Sequence, residues 1–329
     1  MGHNRIMGLD IGYGYTKGTA YGRTSVFPSV AGDAVRGDFD NGLVTSGRGS
    51  TLTVDGLAWF YGEQARRHSR NPVALFARER TEQRDVMRVL FAATLAELGI
   101  TNGTVDVCTG LPVDWFADQD ALSSTLRGAH SFTLNGVPCS VFVDRVAVVP
   151  QPFGSLFDVL LDTGGQLVNA DLARGKVGIL DIGSYTCDAA LCDNMEYIAK
   201  ASGSRTIAMS NVWRQVGDAV RARYGLDYEP HEVDAIMRNG RTVTVQGTDR
   251  SIENLIQPAV DAIAQQVLAF ARDRWGSARD FKRVLLTGGG AYYLADAVRA
   301  VYPHTLVLSE PHAGNLRGFH KYAVRKFGR

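Results

Sequence analysis

The chain has 329 residues, 45% hydrophobic and 21% charged, with a formal net charge of +1. That composition excludes a disordered chain and a nucleic-acid binder working through bulk charge, and the length suits two domains or one bilobed one. No run approaches the ~20 apolar residues of a membrane helix, and no apolar leader follows the first residues, so a cytoplasmic protein is expected. Cys108, Cys139, Cys187 and Cys192 form no CxxC pair and have no histidine cluster beside them. They are expected to be reduced, mostly buried thiols and not zinc ligands or disulfides.

In chain order, Ile6 to Asp10 reads as a buried strand, and Thr16 to Val26 as a second strand after a turn. Residues 31–62 are rich in Gly, Asp and Thr, with strand-like pieces in "STLTVDGLAWFYG". Apolar spacing predicts a helix from Thr81 to Leu98, stopped by Gly99. "TVDVCTGLPVDWF" predicts a strand ending at a Gly-Leu-Pro turn. A hairpin is expected from Ser131 to Val143 around Asn135-Gly136. "DRVAVVPQPFGSLFDVLL" then reads as strand, turn and helix, and "GKVGILDIGSYTCDAALC" as strand, turn and strand. Helices are predicted at 210–224, 231–238 and 254–275. "FKRVLLTGGGAYYLADAVRAVY" reads as strand, glycine turn and helix, and residues 315–327 as a basic helix.

One phrase occurs twice: strand, Asp-Ile-Gly, turn, strand, at Asp10 and again at Asp181. The repeat suggests two related α/β lobes with a cleft between them. A glycine-rich turn at the end of a strand exposes backbone N–H groups that can cradle phosphate oxygens. Gly12 and Gly14 would permit close approach and unusual φ values, and Lys17 would reach a phosphate as a compact cation. Asp10 and Asp181 would repel a bare polyphosphate, but both suit a hydrated Mg²⁺ beside it. Either turn alone reads more simply as a hairpin; the pair points to phosphate. Gly288, Gly289 and Gly290 match neither a dinucleotide fingerprint nor a Walker loop, and three glycines there would let a flat adenine lie on the backbone.

These motifs resemble the superfamily of actin, sugar kinases and the Hsp70 ATPase domain. The resemblance runs in order from the turn Asp10 to Lys17, through "VVPQPFGSLFD", the turn Asp181 to Asp188 and Gly288 to Ala291, to "HAGNLRGFHKYA". Within that superfamily, "FPSVAG", "RDVMRVLFAATLAELG", "TGLPVDWF" and "NLRGFHKYA" are similar to the actin-like plasmid-segregation proteins of the ParM/StbA type. The resemblance implies an α/β, actin-like two-lobed fold with duplicated ribonuclease-H-like domains and a nucleotide cleft between them. It places lobe I at 1–152, with a small subdomain at about 30–80 and helix 314–329 returning to it. Lobe II would span 153–313, with a small subdomain at about 203–253.

It further implies ATP and Mg²⁺ as cofactors. Asp10 and Asp181 would organise the metal's waters, and the backbone of Gly12, Tyr13, Gly14, Tyr15 and Thr16, with that of Gly183, Ser184, Tyr185 and Thr186, would hold the phosphates. Lys17 would balance their charge, Asp188 would support the second turn, and Gly288, Gly289, Gly290 and Ala291 would meet the adenosine. Gln151 would position the attacking water; its plainer reading is a polar residue in a Pro-rich turn. Tyr13, Tyr15 and Tyr185 are bulkier than is usual there, so they are expected to contribute backbone only.

The function implied is an ATPase that polymerises into dynamic filaments for plasmid segregation, reaching DNA through an adaptor protein and not by direct sequence-specific binding. The rivals are a small-molecule kinase of the same fold, for which Gln151 is a poor base, and a non-polymerising regulatory ATPase. The seven scattered histidines suggest no metal site. "RGFHKYAVRKFGR" is expected to be the solvated face of a terminal helix, and "DFDNGLVTSGRGS" an exposed mobile loop.

Overall fold

The computed structural model describes residues 4–34, 50–75 and 84–328. The loop expectation for residues 38–49 and the first three residues of the helix expected from Thr81 lie outside them. Two compact units divide the chain: residues 1–169 with 315–329, and residues 170–314.

Among the described residues, the first unit is built on a sheet of ten strands. In it the strand Arg5–Ile11 is paired in parallel with Asn102–Leu111, which is in turn parallel to Val137–Pro150. On the other side of Arg5–Ile11, two antiparallel strands form a meander, Tyr15–Ala20 and Arg23–Pro28. The single strand expected from Thr16 to Val26 is therefore a hairpin. Its turn is Tyr21-Gly22, with φ of 53° and 71°, the two left-handed residues that match the twist of paired strands. The far edge carries the short strands Leu52–Val54, Leu57–Tyr61, Val30–Asp33 and Val73–Ala74.

The hairpin at Asn135-Gly136 is present, but its second strand does not stop at Val143. It runs on to Pro150 through a register shift between Val143 and Val146, so "DRVAVVP" belongs to the same strand. Asp106 accounts for the shift. Its side chain is fully buried and accepts hydrogen bonds from the backbone N–H of Arg145 and from Nε of the same residue, each at 3.1 Å. The bulge turns Arg145 back onto the carboxylate, which leaves no buried charge unpaired. That pairing, aided by Asp144, raises the Arg145 pKa further above its ordinary value.

Helices cover both faces. Arg84–Glu97 buries Val86, Val89, Leu90 and Ala93 on one face and Leu95 on the other, and Gly99 ends the segment with φ +73°. Gly314–Phe327 lies on the other, where Phe319, Ala323 and Phe327 meet Cys108, Ala147 and Val149. It crosses the strand Arg5–Ile11 so closely that a Cβ on Gly8 would stand 2.9 Å from its backbone at Leu316 and His320. It also packs on the helix Pro152–Leu160, where a Cβ on Gly318 would overlap the carbonyl of Gly154. Ser155 donates through Oγ to Asn315 Oδ1 at 2.6 Å, and Arg317 and Lys321 both hold the buried Asp158. The basic run is thus not simply a solvated face: two of its cations anchor one helix to the other.

The second unit repeats the central pattern. Lys176–Ile182 is antiparallel to Cys187–Asp193 on one side and parallel to Phe281–Thr287 on the other, with Thr305–Val307 parallel beyond it. Its core joins the helices Met209–Tyr224, Glu253–Trp275 and Ala291–Val301 to the sheet through Val216, Val220, Ile263, Val267, Leu294 and Val298. The helix Pro230–Arg238 is present as expected. The hairpin Thr242–Val245 with Thr248–Ser251 was not legible, because its strands are short and polar. The helix Gln119–Leu126 also went unforeseen. All four cysteines are buried and none is in a disulfide. Burial raises the thiol pKa values of Cys108 and Cys187, and that of Cys192 to about 11. Each unit is an α/β domain built on the same antiparallel-then-parallel strand pattern.

Candidate functional site

In both units the expected residues lie where parallel strands end. In open α/β sheets ligands bind beyond the carboxyl ends of such strands.

In the first unit Asp10 and Lys17 are direct cross-strand partners, and Lys17 Nζ is 2.9 Å from Asp10 Oδ2. As placed, Lys17 neutralises Asp10. Between them the turn closes by the N–H of Gly12 donating to the carbonyl of Tyr15 at 3.0 Å. A Cβ on Gly12 would stand 3.0 Å from that same oxygen, so close approach explains this glycine. The unusual φ expected for Gly12 and Gly14 is not found; neither is left-handed. Ser29, which the sequence reading missed, ties the turn down. Its Oγ donates to the carbonyl of Gly12 at 2.5 Å and lies 2.9 Å from Thr16 Oγ1, while its N–H donates to the carbonyl of Gly14 at 3.1 Å. The only signal was a small hydroxyl just after Pro28. The bulk of Tyr13 is also explained: its ring meets Trp115 edge-on, with centroids 5.8 Å apart at 88°.

Gln151 stands just past the strand ending at Pro150 and leads into the helix Pro152–Leu160. Its N–H donates to the carbonyl of Leu111 at 2.7 Å, and its own carbonyl accepts from Gly154 at 3.0 Å. A Cβ on Gly110 would lie 3.0 Å from the Gln151 Cα, so the backbone here is closely fitted to the neighbouring strand end.

In the second unit the turn closes the same way, with the N–H of Gly183 donating to the carbonyl of Thr186 at 2.8 Å. The helix Met209–Tyr224 braces it: Ser210 N–H reaches the carbonyl of Ser184 at 2.8 Å, and Met209 N–H that of Gly183 at 3.3 Å. Asp181 faces Asp188 in register, and both are almost wholly buried. Ser204, also unforeseen, donates its hydroxyl to Asp188 Oδ1.

On its other side Asp181 is in register with Thr287, which brings the third glycine element to the same place. Gly288 takes φ +81°, and a Cβ there would overlap the Ile182 carbonyl. A Cβ on Gly290 would overlap the Ile182 side chain, and its N–H donates to the Ile182 carbonyl at 2.9 Å. Two of the three glycines are therefore demanded by packing. Only Gly289 faces open space, and the helix Ala291–Val301 begins directly after them.

No group of three metal-ligating side chains converges among the described residues. The donor set still suits a cation held through its waters. Asp181 and Asp188 are two buried carboxylates on one face of a strand pair, an arrangement of like charges that a nearby cation relieves. No helix of the described residues is long and apolar enough to cross a membrane.

Comparison with known proteins bears on the fold. Residues 8–154 match the family model described as the N-terminal domain of actin-like proteins. Residues 179–300 match that of the archaeal actin homologue MreB-like C-terminal domain. No curated protein matches the sequence. Among solved structures, the chain is similar to an archaeal actin homologue, Ta0583, in complex with ADP, at 18% identity and a TM-score of 0.81 over 98% of this chain and 99% of that one. It is similar to ParM in a 15-stranded filament from Clostridium botulinum, at 18% identity and a TM-score of 0.80 over the same shares. It is also similar to Bacillus thuringiensis ParM with AMPPNP, at 13% identity and a TM-score of 0.70 over 97% and 98% of the two chains. Residues 8–154 thus match an actin-like N-terminal domain and residues 179–300 an MreB-like C-terminal domain, and the chain has the actin-like fold of these structures.

Proposed function

We propose that this chain is a cytoplasmic ATPase that binds Mg-ATP, polymerises into dynamic filaments and serves plasmid segregation. The observation that carries the reading is the repeated turn: an aspartate at a strand end, then a glycine whose N–H closes the turn on a carbonyl three residues later. The solved relatives with ADP, with AMPPNP and in filaments support it.

In this reading the backbone N–H groups of residues 12–16 and 183–186 hold phosphate oxygens. Asp10 and Asp181 hold the waters of Mg²⁺, with Asp188 kept in place behind Asp181 by Ser204. Mg²⁺, when bound, screens phosphate charge as the bond to the leaving group breaks. Lys17, ion-paired with Asp10 in the structure, would turn from that partner to balance the phosphate charge. The Gln151 amide orients a water for in-line attack. A carboxamide does not take a proton, so its contribution is alignment. Gly289 is the glycine open to an adenosine, with Gly288, Gly290 and Ala291 shaping the backbone beside it. DNA would be reached through a DNA-binding adaptor.

Light scattering of the purified protein tests the reading. Mg-ATP should raise the signal and give filaments in negative stain, while Mg-ADP should not. A flat trace over a wide concentration range, with ATP binding measured separately, returns the choice to a kinase of the same fold or a non-polymerising ATPase.

A further inference from the structure

The first turn differs from the second in one respect that the nucleotide reading leaves unexplained. The second turn is held by backbone N–H groups at the start of a helix, Met209 and Ser210. Among the described residues, the first is held by Ser29 from the neighbouring hairpin. Ser29 anchors the carbonyls of Gly12 and Gly14, one on either side of Tyr13. Tyr13 itself projects from the turn and is half-buried. Its ring is met edge-on by Trp115, at 5.8 Å and 88°, the perpendicular arrangement in which the positive edge of one ring faces the negative face of the other.

Trp115 is well placed to brace. It sits in the short helical turn Val113–Asp118, which follows directly on the strand Asn102–Leu111. That strand is the parallel neighbour of the one carrying Asp10. The N–H of Trp115 donates to the carbonyl of Pro112 at 3.0 Å, and Pro112 and Val113 are buried, so its backbone is fixed. The sheet thus reaches the tip of the turn through this pair of aromatic rings.

We propose that Trp115 is a positioning residue for nucleotide binding. It acts through Tyr13 to hold residues 12–16 with their N–H groups in the phosphate-binding arrangement. The proposal rests on the ATPase reading for its ligand, but the bracing itself does not. Without the ring contact the turn would sample other conformations more often, and the binding-competent fraction, and with it the apparent affinity, would fall. An aromatic pair of ordinary strength sets the loss at about threefold to tenfold.

The test compares the full-length parent with Trp115→Leu and Trp115→Phe. Amide hydrogen exchange is followed in the peptides covering residues 10–18, and affinity is measured with a fluorescent N-methylanthraniloyl ATP analogue and Mg²⁺. Trp115→Leu should speed exchange in those peptides, leave the peptides around 183–186 unchanged, and weaken binding about threefold to tenfold. Trp115→Phe, which keeps a ring, should restore both. If Trp115→Leu proves unstable, Tyr13→Leu removes the other ring of the pair and should give the same exchange result. Unchanged exchange in residues 10–18 overturns the bracing. Faster exchange with unchanged affinity overturns the positioning role. Absence of binding by the parent overturns the ATPase reading and the positioning role with it, while the exchange comparison still decides the bracing.

Discussion

The two turns are the same device built twice and secured differently. Each follows an Asp-Ile-Gly, and each closes by a glycine N–H on a carbonyl three residues on, at 3.0 Å in the first and 2.8 Å in the second. In the first, the aspartate meets a lysine across the strand pair; in the second it meets another aspartate. Side chains from Ser29 and Trp115 hold the first, whereas helix backbone and the packed glycines 288 and 290 hold the second. A duplicated fold thus keeps its backbone geometry while the means of stabilising it diverge. Loss of a bracing side chain should therefore disturb the first turn more than the second.

The largest expected effect follows from that contrast. Gly288→Ala places a Cβ into the Ile182 carbonyl at a left-handed position and should cost about 3 kcal/mol or more in urea unfolding. Gly12→Ala meets only one carbonyl at 3.0 Å and should cost about 1 kcal/mol. Equal costs would break the comparison.

Next in size is the chemistry. Asp181→Ala should leave the protein folded and reduce ATP hydrolysis by about 100-fold or more, measured as phosphate release. Hydrolysis at the parental rate would mean that the second turn is not where the nucleotide is processed.

Ser29→Ala should cost about 1–3 kcal/mol, because the carbonyl of Gly12 and the hydroxyl of Thr16 each lose a buried partner. The matching loss on the other side, Ser204→Ala, leaves Asp188 short of one donor without touching the turn backbone. Exchange in residues 10–18 should therefore rise only in the first variant.

The smallest effect separates the units by pH. His130 and His320 both belong to the first unit, and burial lowers both their pKa values. The unfolded chain then binds more protons than the folded one as pH falls through about 6.5, so stability declines below that point until the lowered folded values are passed. Thermal unfolding from pH 8 to 5 should show the decline, and a variant with both His130→Gln and His320→Gln should flatten it.

Much of this was legible without coordinates. A buried strand, an aspartate and a glycine turn form a contiguous signal, since the residues that close the turn are within five positions of one another. The doubled phrase therefore located both turns, and the strands at 102–111 and 281–287 followed from their apolar runs, though not their parallel pairing. Gly288 and Gly290 were visible as glycines, but their reason was not. The open backbone expected of all three glycines belongs to Gly289 alone, because Ile182 occupies the space beside the others, and it comes from a strand a hundred residues earlier.

Local order along the chain, then, determined the ends of the strands at Asp10 and Asp181 and the turns after them, because those depend on side-chain periodicity and on glycines within a few residues. Tertiary structure alone decided what holds each turn. Ser29, Trp115 and Ser204 are ordinary residues whose roles arise only when distant segments are brought together. It also decided the course of the long strand to Pro150, where the buried charge of Asp106 draws Arg145 out of register. The physical reason is the same in each case: a hydrogen bond or ion pair across the fold satisfies a group whose need is set by burial, and burial is not written in the neighbouring residues.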